Sequence, residues 1–157
     1  MRIRSGGNVD GLQFFELLRA DDQFCAELGR VVLAAGRLES ALKRTLARDG
    51  FTRDMGKATL GKLIDFCREK DIITKMIPAI ETLRDQRNYL LHNIHALLSD
   101  LIQETILERA NLIDSDVYTY TERAWQLKKN LDGLADILEQ NDSGRPVSIG
   151  EDIRADA

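Results

Sequence analysis

The stretch DQFCAELGRVVLAAGRLESALKRTLAR, residues 22–48, decides the fold class of this chain. Apolar side chains recur through it every three or four residues, which is the spacing of one buried face of an α-helix. They are Leu28, Val31, Ala35, Leu38, Leu42 and Leu46. Asp21 and Asp22 offer N-caps before this stretch, and Asp49-Gly50 offers a C-terminal stop after it. We therefore expect one long helix over residues 22–48.

The rest of the chain repeats the helical spacing in other segments. Helices are expected over residues 12–18, over residues 59–70 with Thr59 as N-cap, from Pro78 onward, and from Thr119 or Thr121 to about residue 140. The inward residues of the last three are expected to be Leu60, Leu63, Ile64, Cys67, Ile80, Leu83, Leu90, Leu91, Ile94, Leu97, Ala124, Leu127, Leu131, Leu134 and Leu138. Residues 100–117 fit either a helix or an extended excursion, and the pattern does not choose between them.

These segments together predict an all-α protein, an up-and-down bundle of about four main helices with short extra elements. The chain has 157 residues, enough to bury a core without disulfides or metal. We expect a single helical domain over residues 10–141, with flexible tails at residues 1–9 and 142–157. Phe14, Phe15 and Trp125 are expected in its core.

Composition narrows the class of protein. No apolar run has the length of a membrane span, and no signal peptide stands at the N-terminus, so we expect a cytoplasmic protein without membrane partners. Cys25 and Cys67 lack metal-ligand spacing and are expected to be reduced core residues; neither a metal nor a cofactor is predicted. The net charge of −4 argues against broad, non-specific nucleic-acid binding, so any contact with RNA would have to be local.

The hexapeptide Arg87-Asn88-Tyr89-Leu90-Leu91-His92 interrupts an otherwise apolar helical run. A histidine can take a proton from a ribose 2′-hydroxyl or give one to a leaving 5′-oxygen. An arginine can stabilise the charge that grows on a phosphate, and an amide can hold either group. These are the parts of metal-free RNA cleavage by the RNA's own 2′-hydroxyl.

Helix geometry limits what one copy of the hexapeptide can do. Arg87 and His92 lie about 140° apart around a helix, so they do not stack on one face. Asn88 and His92 do stack, one turn apart, and His95 continues that line. Two copies across a two-fold axis could instead surround a phosphate with two histidines and two arginines. If the chain is an enzyme, we expect a dimer.

Arg87-Asn88 followed by three residues and His92 resembles the Arg-x4–6-His motif of the HEPN superfamily. Two other stretches are similar to the first two helices of HEPN domains: Leu28-Gly29 with residues 36–42, and residues 59–64. Together these stretches cover roughly residues 22–98. The resemblance implies a small all-α bundle. Many members of the superfamily are dimeric, metal-independent endoribonucleases. It also implies RNA as substrate, a homodimer, and a toxin or antiphage effector with an antitoxin or regulatory protein as partner.

Carried over residue by residue, the resemblance gives His92 as the catalytic imidazole and Arg87 as the phosphate-stabilising cation. Asn88 matches the polar residue that often follows the arginine and would orient the site. Glu39 is similar to an acidic residue that some members place near the motif from an earlier helix. Ile94 departs from the subgroup with a modifiable tyrosine two positions after the histidine, which argues against regulation of that kind.

The alternative reading is a catalytically inert HEPN-like module that binds a protein partner or a nucleotide, because fold alone does not confer activity. This reading predicts a hexapeptide that is buried or salt-bridged, whereas the nuclease reading predicts that Arg87 and His92 are exposed. His95 could line the dimer seam, and Arg84 could widen an RNA-binding strip. Both residues also fit ordinary solvated positions.

Overall fold

The computed structural model describes residues 8–99 and 111–142 of the chain. Helices make up 79% of these residues, and the predicted all-α class is confirmed. In chain order the elements are β1 (Asn8–Val9), α1 (Gly11–Ala20), α2 (Asp22–Arg48), α3 (Leu60–Glu69), α4 (Ile77–Leu98), β2 (Leu112–Ile113), a 3-10 turn (Asp114–Asp116) and α5 (Val117–Asp142).

The capping residues fix the bounds of α2 as the sequence predicts. Asp21 accepts a hydrogen bond on Oδ1 from the amide of Phe24 over 2.7 Å, which satisfies one of the free N–H groups of the first turn. At the other end Gly50 adopts a φ of 87°, the left-handed conformation that glycine takes without strain. The amide of Phe51 then donates to the carbonyl of Leu46 over 3.0 Å and closes the helix.

The described chain divides into two compact units, and α2, α4 and α5 contribute residues to both. The first unit holds residues 8–31, 86–99 and 111–127 of the described chain. Its centre is the fully buried ring of Tyr120, which packs at 5.1 Å from the ring of Phe14 and 6.3 Å from that of Phe24. Strands β1 and β2 pair antiparallel, with Asn8 opposite Ile113. Other buried residues here are Leu18, Val31, Leu90, Ala96, Leu97, Leu112, Val117, Ala124 and Leu127.

The second unit holds residues 32–85 and 128–142 of the described chain. Its buried residues follow the predicted stripes and include Leu38, Leu42, Leu46, Leu60, Leu63, Ile64, Cys67, Ile80, Leu131 and Leu138. At its surface Arg37 of α2 reaches α5, where it donates to Asp132, Asp136 and both carboxylate oxygens of Glu139. This network joins the two helices by charge as well as by packing.

Six sequence expectations about side-chain placement are wrong. Leu91 is 42% exposed, Trp125 is 40% exposed, and Cys25 is also exposed, although all three were expected inside. Each lies on a helix that carries more apolar residues than its inward face accommodates, so the helical phase decides which of them are buried. Phe15, Leu28 and Ile94 are only half-buried.

Two expectations about backbone elements are wrong, and one alternative that the sequence left open is settled in part. Asn8–Val9 lie in the expected N-terminal tail but form strand β1, because their ladder partners Leu112–Ile113 come from a part of the chain that local patterning could not connect to them. Helix α5 begins at Val117, earlier than expected, and runs through Asp142. Of the ambiguous residues 100–117, the described part is extended at 112–113 and then turns into α5, while residues 100–110 lie outside the described chain. No helix in the described ranges is long and apolar enough to cross a membrane.

Candidate functional site

The hexapeptide lies in the second half of α4, within the first unit. Leu90 is its one buried residue. It lies on the inward row of α4, as does Leu97 two turns later. Asn88, Tyr89, Leu91 and His92 are exposed. The hexapeptide therefore presents a surface rather than completing a core.

Arg87 lies at the edge of this surface. The nuclease hypothesis predicts an exposed Arg87, but the side chain is half-buried, because it follows Leu83 and precedes Leu90 along the inward row of α4. Its Nη2 donates to Oδ1 of Asn88 over 3.2 Å. The guanidinium and the amide thus meet at one point on the surface, and the bond leaves the amide N–H groups of Asn88 directed away from the arginine.

His92 lies on the other side of the same exposed face. It is one turn after Asn88, and His95, also exposed, is nearly one turn further on. Arg87 and His92 stand about 140° apart around the axis, at the two edges of a face whose middle holds Asn88, Leu91 and His95. One protomer therefore offers a cation and an imidazole on one helix face, and the two do not converge on a single point.

Asn93 fixes the direction in which this face points. It follows His92 directly and is fully buried. Its Nδ2 donates to the carbonyl of Tyr89 over 2.7 Å, and its Oδ1 accepts from the hydroxyl of Tyr120 over 3.3 Å. Because a buried amide is costly without partners, these bonds hold α4 in one rotation against α5.

The sequence interpretation overlooked this pair. The signal was present, since Asn93 falls one turn before the inward residue Leu97, at a position where helical spacing calls for an apolar side chain. A polar residue at such a position indicates a buried hydrogen bond that needs a specific partner. The sequence does not identify Tyr120 as that partner, because the two lie on different helices.

Glu39 and Arg84 belong to the second unit. Glu39 is half-buried on α2, and its predicted place near the motif stays a prediction. Arg84 ion-pairs with Glu81 at 3.9 Å and with Asp85 at 3.0 Å, which accounts for it as a surface charge. Among the described residues, no group of three or more His, Cys, Asp or Glu side chains is arranged to hold a metal ion.

Comparison of this chain with protein-family models, with curated proteins and with solved structures finds no match. The resemblance to HEPN domains therefore rests on the motif and on the two helical stretches in this sequence, and it stays a prediction.

Proposed function

We propose that this protein is a metal-independent endoribonuclease of HEPN type that acts as a homodimer in the cytoplasm. In the cell the protein acts as a toxin or antiphage effector, and an antitoxin or regulatory protein restrains its activity. The observation that carries the proposal is the exposure of Asn88 and His92 beside the guanidinium of Arg87. The inert-module alternative predicts a buried or salt-bridged segment. Arg87 is half-buried, so the exposure of Asn88 and His92 is what favours the nuclease.

The chemistry follows from the residue types. The imidazole of His92 accepts the proton of a ribose 2′-hydroxyl, and the 2′-oxygen forms a bond to the adjacent phosphorus. The bond from phosphorus to the 5′-oxygen breaks, and that oxygen takes a proton from an imidazolium. The products are a 2′,3′-cyclic phosphate and a 5′-hydroxyl. Arg87 stabilises the negative charge on the non-bridging oxygens during this exchange, and Asn88 orients the phosphate by hydrogen bonding.

The divergence of Arg87 and His92 on α4 supports the homodimer. A single imidazole would have to serve as base and acid, and it stands on the far side of the face from the guanidinium. A two-fold axis over the face brings the partner's His92 and the partner's Arg87 to the same phosphate. The exposed Leu91 and the aliphatic Leu98, which is 48% exposed, would be covered in such a dimer.

The test is cleavage of a labelled single-stranded RNA by purified protein in EDTA. His92→Ala is expected to lose cleavage by a factor of about 100 or more, since general acid–base groups typically contribute that much. Arg87→Ala is expected to lose a similar amount. Arg19→Ala is the control, because it removes an exposed cation of α1 that lies outside the proposed site, and it is expected to retain activity.

Each variant must first have the helical content and sedimentation behaviour of the wild-type protein. Equal cleavage by wild type and His92→Ala would show that the site is placed wrongly. Absence of cleavage by the wild type over a broad panel of RNAs would overturn the nuclease proposal in favour of the binding module.

A further inference from the structure

Four cations gather around the loop that joins α2 to α3, in the second unit. We call them the basic cluster: Lys43, Arg53, Lys57 and Lys62. Lys43 Nζ donates to the carbonyl of Gly56 over 3.5 Å, next to Lys57 in the chain. The guanidinium carbon of Arg53 and the ammonium of Lys62 lie 5.0 Å and 5.2 Å from the centre of the Phe66 ring.

Carboxylates neutralise part of this charge. Arg53 pairs with Glu69, and Asp54, which accepts a hydrogen bond from the amide of Gly56 over 2.8 Å, keeps its negative charge. Within the described part of the chain, Lys43, Lys57 and Lys62 have no ion pair with a carboxylate. Many other cations do: in the same unit Arg37, Arg44, Arg68, Lys70 and Arg84 are paired with acids. The cluster is therefore a local positive surface on a chain whose net charge is −4.

Two of the four cations lie against aromatic rings: Arg53 over Phe51 and Phe66, and Lys62 over Phe66. Phe51 and Phe66 pack with their centres 4.7 Å apart, and Phe66 is only 6% exposed. A base therefore cannot lie flat on Phe66. Helix α3 begins just beside the cluster with Thr59 as N-cap and has no acidic residue in its first turn, so its dipole adds to the positive potential. A surface on which cations outnumber carboxylates matches a sugar-phosphate backbone, which proteins contact mainly through arginine and lysine side chains.

We propose that the basic cluster binds the phosphate backbone of single-stranded RNA without regard to base sequence. The choice of RNA among polyanions rests on the proposed nuclease function. The cluster then supplies local affinity for a substrate that the acidic protein as a whole would repel. Because contacts to backbone phosphates position a strand and take no part in proton transfer, the charge of the cluster affects binding rather than the chemical step.

The experiment measures binding without cleavage. A 5′-labelled 2′-O-methyl oligouridine cannot react, and its fluorescence anisotropy with wild-type protein is followed over a range of salt concentrations. The test variant is Lys57→Gln/Lys62→Gln, and the matched control is Lys70→Gln/Lys75→Gln, which makes the same charge change elsewhere in the same unit.

The cluster variant is expected to raise Kd by about 10-fold or more. It is also expected to reduce the slope of log K against log salt by about 1.4, or about 0.7 for each phosphate that the protein no longer neutralises. The control is expected to change Kd by less than about 2-fold. Equal rises of Kd in both variants, or an unchanged salt slope in the cluster variant, would overturn the proposal. So would tighter binding to polyglutamate or to phosphatidylserine vesicles than to the RNA analogue.

Failure of the nuclease proposal is distinguishable from failure of this one, because the analogue reports binding alone. Wild-type protein that binds the analogue through the cluster but cleaves no RNA would leave the cluster assignment standing and remove the nuclease. If cleavage occurs, the cluster variant is expected to raise KM with little change in kcat. A fall in kcat with KM unchanged would contradict a role in substrate binding.

Discussion

The hydroxyl of Tyr120 donates to the buried Oδ1 of Asn93, 3.3 Å away, one residue after the exposed His92. This bond ties the rotation of α4 to α5, and so it determines that the hexapeptide faces outward. It also joins a polar group to the aromatic centre of the first unit, where Phe14 and Phe24 pack on the same ring.

Tyr120→Phe keeps the ring and removes this donor. The variant is expected to lose about 1 kcal/mol of unfolding free energy, because the buried amide oxygen of Asn93 loses a partner. Urea denaturation followed by circular dichroism measures this change in unfolding free energy. Tyr118→Phe is the control: that side chain is 66% exposed, and its change should stay within about 0.5 kcal/mol. Equal effects of the two substitutions would mean that the Asn93 contact adds nothing.

The Arg37 network is expected to stabilise the second unit. Arg37→Ala removes the bonds to Asp132, Asp136 and Glu139 and leaves three carboxylates near one another, so we expect a loss of about 1 kcal/mol, typical of a partly exposed network. Arg37→Lys should also destabilise, because an ammonium cannot donate to both oxygens of Glu139 in the planar geometry of a guanidinium. Thermal and urea unfolding at low salt measure the stability of both variants. A lysine variant as stable as wild type would contradict the two-oxygen contact.

The same network gives a pH dependence with a definite sign. The hydrogen bond from Arg37 lowers the pKa of Glu139 below its ordinary value of 4.5. Since the folded pKa is the lower one, the contribution is fully present above pH 4.5 and is lost as the pH falls through the folded pKa. The difference in stability between wild type and Arg37→Ala should therefore shrink on acidification below that pH. Arg19→Ala, in an exposed pair with Glu16, is the control and should show almost no difference at any pH. A stability difference between wild type and Arg37→Ala that grows in acid would contradict the lowered pKa of Glu139.

The two cysteines are expected to differ in reactivity. Burial raises the pKa of the Cys67 thiol to about 11, so it is rarely a thiolate at pH 8 and is also inaccessible. Cys25 is exposed. Iodoacetamide should modify Cys25 in the native protein and Cys67 at least about 100-fold more slowly, as mass spectrometry of tryptic peptides would show. Both should react in urea. Equal native rates would mean that α3 opens readily in solution.

The sequence predicted helix bounds where both ends carried a capping signal. Asp21 and Gly50 were visible in the pattern, and α2 runs between them as expected. The phase of α4 was harder to predict, because Tyr89, Leu90 and Leu91 are consecutive and only Leu90 is buried. Which of them turns inward depends on Asn93 and Tyr120, a contact between residues 27 positions apart. The candidate site could be named from sequence, but its exposure could not, since exposure depends on that long-range contact.

Subunit mixing tests whether both copies of His92 serve one site. When equal amounts of wild-type and His92→Ala protein exchange subunits, about one quarter of the dimers should be wild-type homodimers. If a phosphate needs both imidazoles, RNA cleavage falls to about one quarter of the wild-type rate. If each protomer acts alone, it falls to about one half. Mixing with Arg19→Ala is expected to leave the rate unchanged, and a value near one half with His92→Ala would contradict the shared site.

In the proposed reaction the RNA's own 2′-hydroxyl attacks the phosphorus without a metal ion, and the chemical nature of the product ends reports on this attack. Wild-type protein in EDTA is incubated with a single-stranded RNA and with the same sequence carrying 2′-O-methyl groups at every ribose, and the fragments are weighed by mass spectrometry. We predict 2′,3′-cyclic phosphate and 5′-hydroxyl ends from the RNA, and no fragments from the methylated strand. Ends that carry a 3′-hydroxyl, or cleavage of the methylated strand, would contradict the account.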